Sequence, residues 1–109
     1  MKLNYVAIPY QPDSLESCNK TIEKLNYYFG KLLTRDPLRL PVNGLYTGYR
    51  ERLDFLYYNS AQLIVAADTF TIITEPNWSY SPLMMEEFLW AKQNSKPIEV
   101  LDYHESLTK

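Results

Sequence analysis

Two adjacent carboxylates, Glu86 and Glu87, lie just inside a segment, Ser81-Pro82-Leu83-Met84-Met85, that carries the marks of a helix start. A serine followed by proline supplies an N-cap and a first helical residue, which predicts a helix over about 82 to 94. At roughly 100° per residue, Met84, Met85, Phe88 and Ala91 share one face, Glu87 falls on its flank and Glu86 near its back. Glu86 is thus expected in solvent, whereas Glu87 stands at the border between core and pocket. Within two turns of the helix start the dipole favours an ionised carboxylate, the state a nucleophile requires. The same position also suits plain charge complementarity, so spacing alone leaves both readings open. Tyr10 and Trp78 fall in turn-rich loops and offer rings to a base or sugar, and Ser81 can bind a hydroxyl or phosphate while capping its helix. No Lys or Arg lies in the loop from 75 to 81, which gives a phosphate little support there. Arg50 and Arg52, with Tyr46 and Tyr49, can supply charge from another loop or simply solvate a helix start, and His104 reads as a surface residue.

The elements that must position these groups are legible in order. Asn4 to Ile8 is a short apolar run stopped by Pro9, read as a buried strand followed by a loop to Ser14. Asp13 and Glu16 have capping-box spacing, and Leu15, Cys18, Ile22, Leu25, Phe29 and Leu32 follow at steps of three and four, which predicts a helix from about 14 to 33. Leu38 to Val42 is a second strand, confined by Pro41 to a sheet edge or a strand end. After the Asn43-Gly44 and Thr47-Gly48 loop, a second helix begins near 48, and Leu63 to Ala67 can either finish it or open the third strand that lies between 62 and 74. The helix from 82 leads to a last strand, Ile98 to Leu101, and a polar tail. The order β-α-β-α-β-α-β predicts one α/β domain: a doubly wound, mostly parallel sheet of four to five strands with helices on both faces, flavodoxin-like or Rossmann-like. Ligands of such sheets bind outside the carboxyl ends of the strands, so the segment from Ile8 to Asp13, the loop after the third strand and the start of the third helix should line a site.

Composition narrows the partners. The 109 residues hold 11 Lys and Arg against 13 Asp and Glu, a net charge of −2 that lacks the electrostatic footprint of long nucleic-acid binding. One cysteine, Cys18, and one histidine, His104, give neither an intramolecular disulfide nor a zinc cluster, so no cofactor is expected and a cytoplasmic setting is. No apolar run approaches the roughly 20 residues of a membrane span. Ten tyrosines are a surplus, and because a buried ring must still place its hydroxyl, most are expected at a pocket rim or a subunit interface.

Tyr5-Val-Ala-Ile-Pro-Tyr10 resembles the Tyr-x-Ala-x-Pro-Tyr opening of the nucleoside 2-deoxyribosyltransferase-like proteins, a family with small phage and bacterial members of unassigned function. Trp78, Ser81, Glu87, Ala91 and Pro97 match, in order and spacing, its Gly-Trp, Ser-x-Gly-x-x-x-Glu, Ala and Pro pattern. Asn77 and Leu83 stand where that pattern has glycines, and a leucine at the helix start can narrow the pocket. The resemblance implies N-glycosidic bond cleavage or base exchange on a small nucleoside or nucleotide. Glu87 is the implied nucleophile at the anomeric carbon, with the logic of a retaining glycosidase. It also implies an assisting aspartate in one of two registers, Asp54 or Asp68, and a homodimer or larger homo-oligomer; the substrate-contact positions are Ile8, Tyr10, Asn77, Trp78 and Ser81. The competing readings on the same fold are a non-catalytic nucleotide-binding module and a host-interaction protein. Glu87 open to a cavity, with Asp54 or Asp68 within about 5–7 Å of its carboxylate, supports the enzyme, and Leu83 filling that cavity would sink it.

Overall fold

The computed structural model describes residues 2–9, 14–47, 53–75 and 81–102. Strands β1 (Lys2–Ala7), β2 (Arg39–Val42), β3 (Thr69–Thr74) and β4 (Ile98–Asp102) alternate with helices α1 (Leu15–Arg35), α2 (Gly44–Thr47), α3 (Leu53–Ala66) and α4 (Pro82–Gln93). The four strands form one sheet in the order β2-β1-β3-β4, every neighbouring pair parallel. The chain therefore steps outward from β1 to β2 and then returns to the other side of β1, the reversal that defines a doubly wound α/β sheet.

Alternation along β1 decides which helices cover which face. Val6 and Ile8 pack with Cys18, Leu25, Tyr28, Phe29 and Leu32 of α1. Tyr5 and Ala7 point the other way, toward Ile64 and Ala67 at the end of α3 and Met84 and Ala91 of α4. Each fully buried side chain of this size stabilises the fold by about 1.5–3 kcal/mol, so the two clusters together hold the helices on the sheet.

The boundaries settle one open alternative, at Leu63 to Ala67, and carry three corrections, the first being that the stretch read as loop after Asn43 contains the short helix α2. The N-cap of α1 is Ser14, whose hydroxyl accepts the Ser17 amide while the Ser17 hydroxyl accepts the Ser14 amide; this serine pair makes the capping box, rather than Asp13 with Glu16. The segment from Leu63 to Ala66 finishes α3, and β3 starts only at Thr69, because the β-branched run from Thr69 carries the strand on its own. The buried stripe of α4 is Leu83, Met84, Glu87 and Ala91, which turns Glu87 from the flank to the centre of the packed face. Met85 is only partly buried there.

Candidate functional site

The centre of interest forms where the carboxyl ends of β1 and β2 meet α3 and α4. Asn43, fully buried just after β2, donates its side-chain amide to the Val6 carbonyl at 2.8 Å and accepts the Leu45 amide at 2.8 Å. That clamp fixes the turn into α2 and aims the Gly44 amide at the Tyr5 hydroxyl, 3.2 Å away. Gly44 is required by contact rather than by dihedral angle: a Cβ there would lie 2.2 Å from the Ser60 hydroxyl and 2.9 Å from the Ser60 amide nitrogen.

Tyr5 is itself fully buried, stacked on Phe70 with ring centroids 5.6 Å apart, and donates its hydroxyl proton to Oε2 of Glu87. Glu87 has no solvent exposure, so the opening to a cavity that the enzyme reading requires is not found at it among the described residues. Burial pushes its carboxyl up from an ordinary 4.5 to about 8, while the Tyr5 and Ser60 hydroxyls act in the opposite direction. The Ser60 hydroxyl faces the carboxyl without meeting hydrogen-bond geometry, so Oε1 of Glu87 and Oγ of Ser60 are both buried with no hydrogen-bond partner among the described residues. At neutral pH the group is therefore a carboxylic acid whose Oε2 accepts from Tyr5, which leaves the proton on Oε1, a buried donor.

Leu83 is 1 % exposed and packs with Ile8, Cys18 and Leu45, so the start of α4 is closed by a side chain at the position where Leu83 replaces the pattern's glycine. Ser81 is buried, caps α4 and accepts the Met84 amide at 3.3 Å. Ile8, expected to line a ligand surface, belongs to this core instead.

Asp68 is brought to a different place from Glu87. It lies at the amino end of β3, exposed, accepting the Leu3 amide through its carboxylate at 2.9 Å and donating its own amide to the Leu3 carbonyl at 2.8 Å. Its work is to fasten the start of β3 to β1, which corrects the expectation that it assists at Glu87. Asp54 lies on α3, but its side chain, like Tyr10, Asn77 and Trp78, is outside the described residues.

Sequence reasoning passed over Gly44 and Ser60 as site residues and treated Tyr5 only as part of a motif. A signal was present for Tyr5: a tyrosine at the centre of a buried parallel strand must find an acceptor for its hydroxyl, and a carboxyl on a covering helix is the strongest available. The expectation that the tyrosines sit at a pocket rim or a subunit interface fails at Tyr5 and Tyr28, both buried in the chain's own core. Tyr28 is buried but delivers its hydroxyl to the Glu75 carboxylate at the carboxyl end of β3, and Tyr27 is exposed beside it. No protein-family model, no curated protein and no solved structure matches this chain.

Proposed function

We propose that this protein cleaves or exchanges the N-glycosidic bond of a small nucleoside or nucleotide, with Glu87 as the nucleophile. The observation that supports this reading is a fully buried carboxyl, faced by the Tyr5 and Ser60 hydroxyls with Tyr5 in turn held by the Gly44 amide, at the carboxyl end of a doubly wound sheet, the edge where such sheets bind ligands. The resemblance of the Tyr5 to Tyr10 and Trp78 to Pro97 segments to nucleoside 2-deoxyribosyltransferase-like proteins points the same way.

In the reaction, an oxygen of the ionised Glu87 attacks the anomeric carbon as the carbon–nitrogen bond to the base breaks. The electron pair of that bond leaves with the base, which takes up a proton. Water or a second base then displaces the glycosyl ester and returns the carboxylate. Attack needs the ionised form, so the ligand must reach a carboxyl that is fully buried here, and the Glu87 proton must leave before the attack. Tyr5 keeps the carboxyl oriented throughout.

Incubation with a panel of nucleosides and 5′-monophosphates, followed by chromatography for free base, tests the reading. Release that rises with pH toward about 8 and disappears in Glu87→Ala supports it. Buried Leu83 favours a second reading, a binding module that no longer reacts. Saturable ligand-dependent thermal stabilisation without base release from any panel member would establish that alternative.

A further inference from the structure

The Glu87 carboxyl is faced by two hydroxyls that differ in what they can do. Tyr5, from β1, accepts the Gly44 amide at 3.2 Å and gives its proton to Oε2 of Glu87, so it acts on the carboxyl as a donor. Ser60, from the middle of α3, has no solvent exposure, and its Oγ is buried with no hydrogen-bond partner among the described residues. A serine inside a helix ordinarily turns its hydroxyl to solvent or bonds it back to a carbonyl of its own helix. Among the described residues Ser60 does neither. Oε1 of Glu87 is equally buried and unpartnered there, and it carries the acid proton.

The neighbouring turn makes room for the Ser60 hydroxyl. A Cβ at position 44 would lie 2.2 Å from Oγ and 3.0 Å from Cα of Ser60, so glycine at that point is what lets the hydroxyl stand where it does. The Asn43 clamp on the Val6 carbonyl and the Leu45 amide holds that turn in place. Among the described residues, Tyr5 of β1 and Ser60 of α3 are the polar groups that act on the carboxyl against its burial, and no charged side chain is among them. A buried O–H and a buried hydroxyl oxygen thus face each other in an apolar setting, where a hydrogen bond left unmade is costly.

We infer that Ser60 is a positioning residue for Glu87, its hydroxyl accepting the Oε1 proton in the resting acid and turning to donate to the same oxygen once that proton has left. Its part in the reaction rests on Glu87 being the nucleophile. A hydroxyl can serve both states because it holds one donor and two acceptor sites and rotates to suit. Ser60 does not carry the proton away, since an aliphatic hydroxyl is no base near neutral pH. It stabilises the ion left behind. A hydrogen bond to a carboxylate is roughly twice as strong as one between neutral groups, so exchanging the second for the first favours ionisation. With Tyr5 on Oε2 and Ser60 on Oε1 the carboxylate is fixed at both oxygens, and each keeps a lone pair for the anomeric carbon.

The carbon-13 resonance of the Glu87 carboxyl, assigned by its loss in Glu87→Gln and followed against pH in the full chain without substrate, tests this. The wild type should titrate at about 8. Ser60→Ala should keep the folded spectrum and raise the midpoint by about one pH unit, a tenfold weaker ionisation. Ser60→Gly shares the lost hydroxyl but not the volume and should show the same rise, which a change of packing would not give. Where a nucleoside releases its base, the pH profile of release should move by the same interval in Ser60→Ala. An unchanged or lowered midpoint in folded Ser60→Ala, or a rise there that Ser60→Gly does not share, overturns the inference whatever happens with nucleosides. A shared rise in a chain that releases no base refutes the nucleophile and keeps Ser60 as the partner of the acid.

Discussion

Replacing Glu87 by glutamine keeps the shape of the side chain and removes its titration, and the consequence can be worked out in sign and size. In the folded chain burial holds the carboxyl at about 8; unfolded, it returns to its ordinary 4.5. Between those values the folded state keeps a proton that the unfolded state has lost, so the wild-type chain loses stability as pH rises through the window and levels off above it. At 1.36 kcal/mol per pH unit the penalty is about 1 kcal/mol at pH 5, about 3 at pH 7 and about 5 at pH 9. The quantity to follow is the difference between the two chains, because every other titrating group is common to both. Urea denaturation across pH 5 to 9 should show Glu87→Gln gaining about 4 kcal/mol on the wild type over that range, whatever the offset at its acid end. If the two curves run parallel between pH 5 and 8, the carboxyl is not held as an acid in the folded state and the argument from its burial fails.

Tyr5→Phe removes the donor to Glu87 and the acceptor of the Gly44 amide, so it should cost about 1–3 kcal/mol and move the alkaline end of the wild-type stability decline to higher pH, read from the same denaturation series. Gly44→Ala drives a methyl into Ser60, side chain and backbone both, and should lower stability by about 1–3 kcal/mol, whereas Gly44→Ala combined with Ser60→Gly should recover part of the loss. Asp68→Asn, at the amino edge, should leave both the pH window of Glu87 and any base release unchanged while costing about 1 kcal/mol or less in a thermal melt.

The order of elements was legible because each had a local cause. The α1 stripe, the serine cap and proline at α4, and the β-branched run of β3 all act within a few residues, and Pro41 indeed lies in an edge strand. The site was legible only at Glu87, and there with the wrong facing. Helical spacing gave a carboxylate on the flank because a charged residue is not expected in the middle of a packed face. What admits it is the Tyr5 hydroxyl, 82 residues away in sequence, and no periodicity within α4 carries that information. Ser60 and Gly44 escaped for the same reason: their meaning is a mutual contact between a helix and a turn. Asp68 was misread because a strand-start aspartate looks alike in sequence whether it faces a ligand or fastens the neighbouring strand.

The position of Glu87 sets a physical puzzle that bears on function. A methionine or leucine there would pack against Met84 and Ala91 without a proton to hold and without an oxygen left unpartnered, and by the arithmetic above the carboxyl sacrifices about 3 kcal/mol at pH 7. Exchanging buried charged or polar groups for apolar ones of similar volume is often neutral or stabilising, so the fold alone gives no reason to keep an acid at this point. A carboxyl whose protonation is shifted toward neutrality, oriented by a tyrosine and placed at the ligand-binding edge of the sheet, is the arrangement that acid–base and nucleophilic chemistry uses.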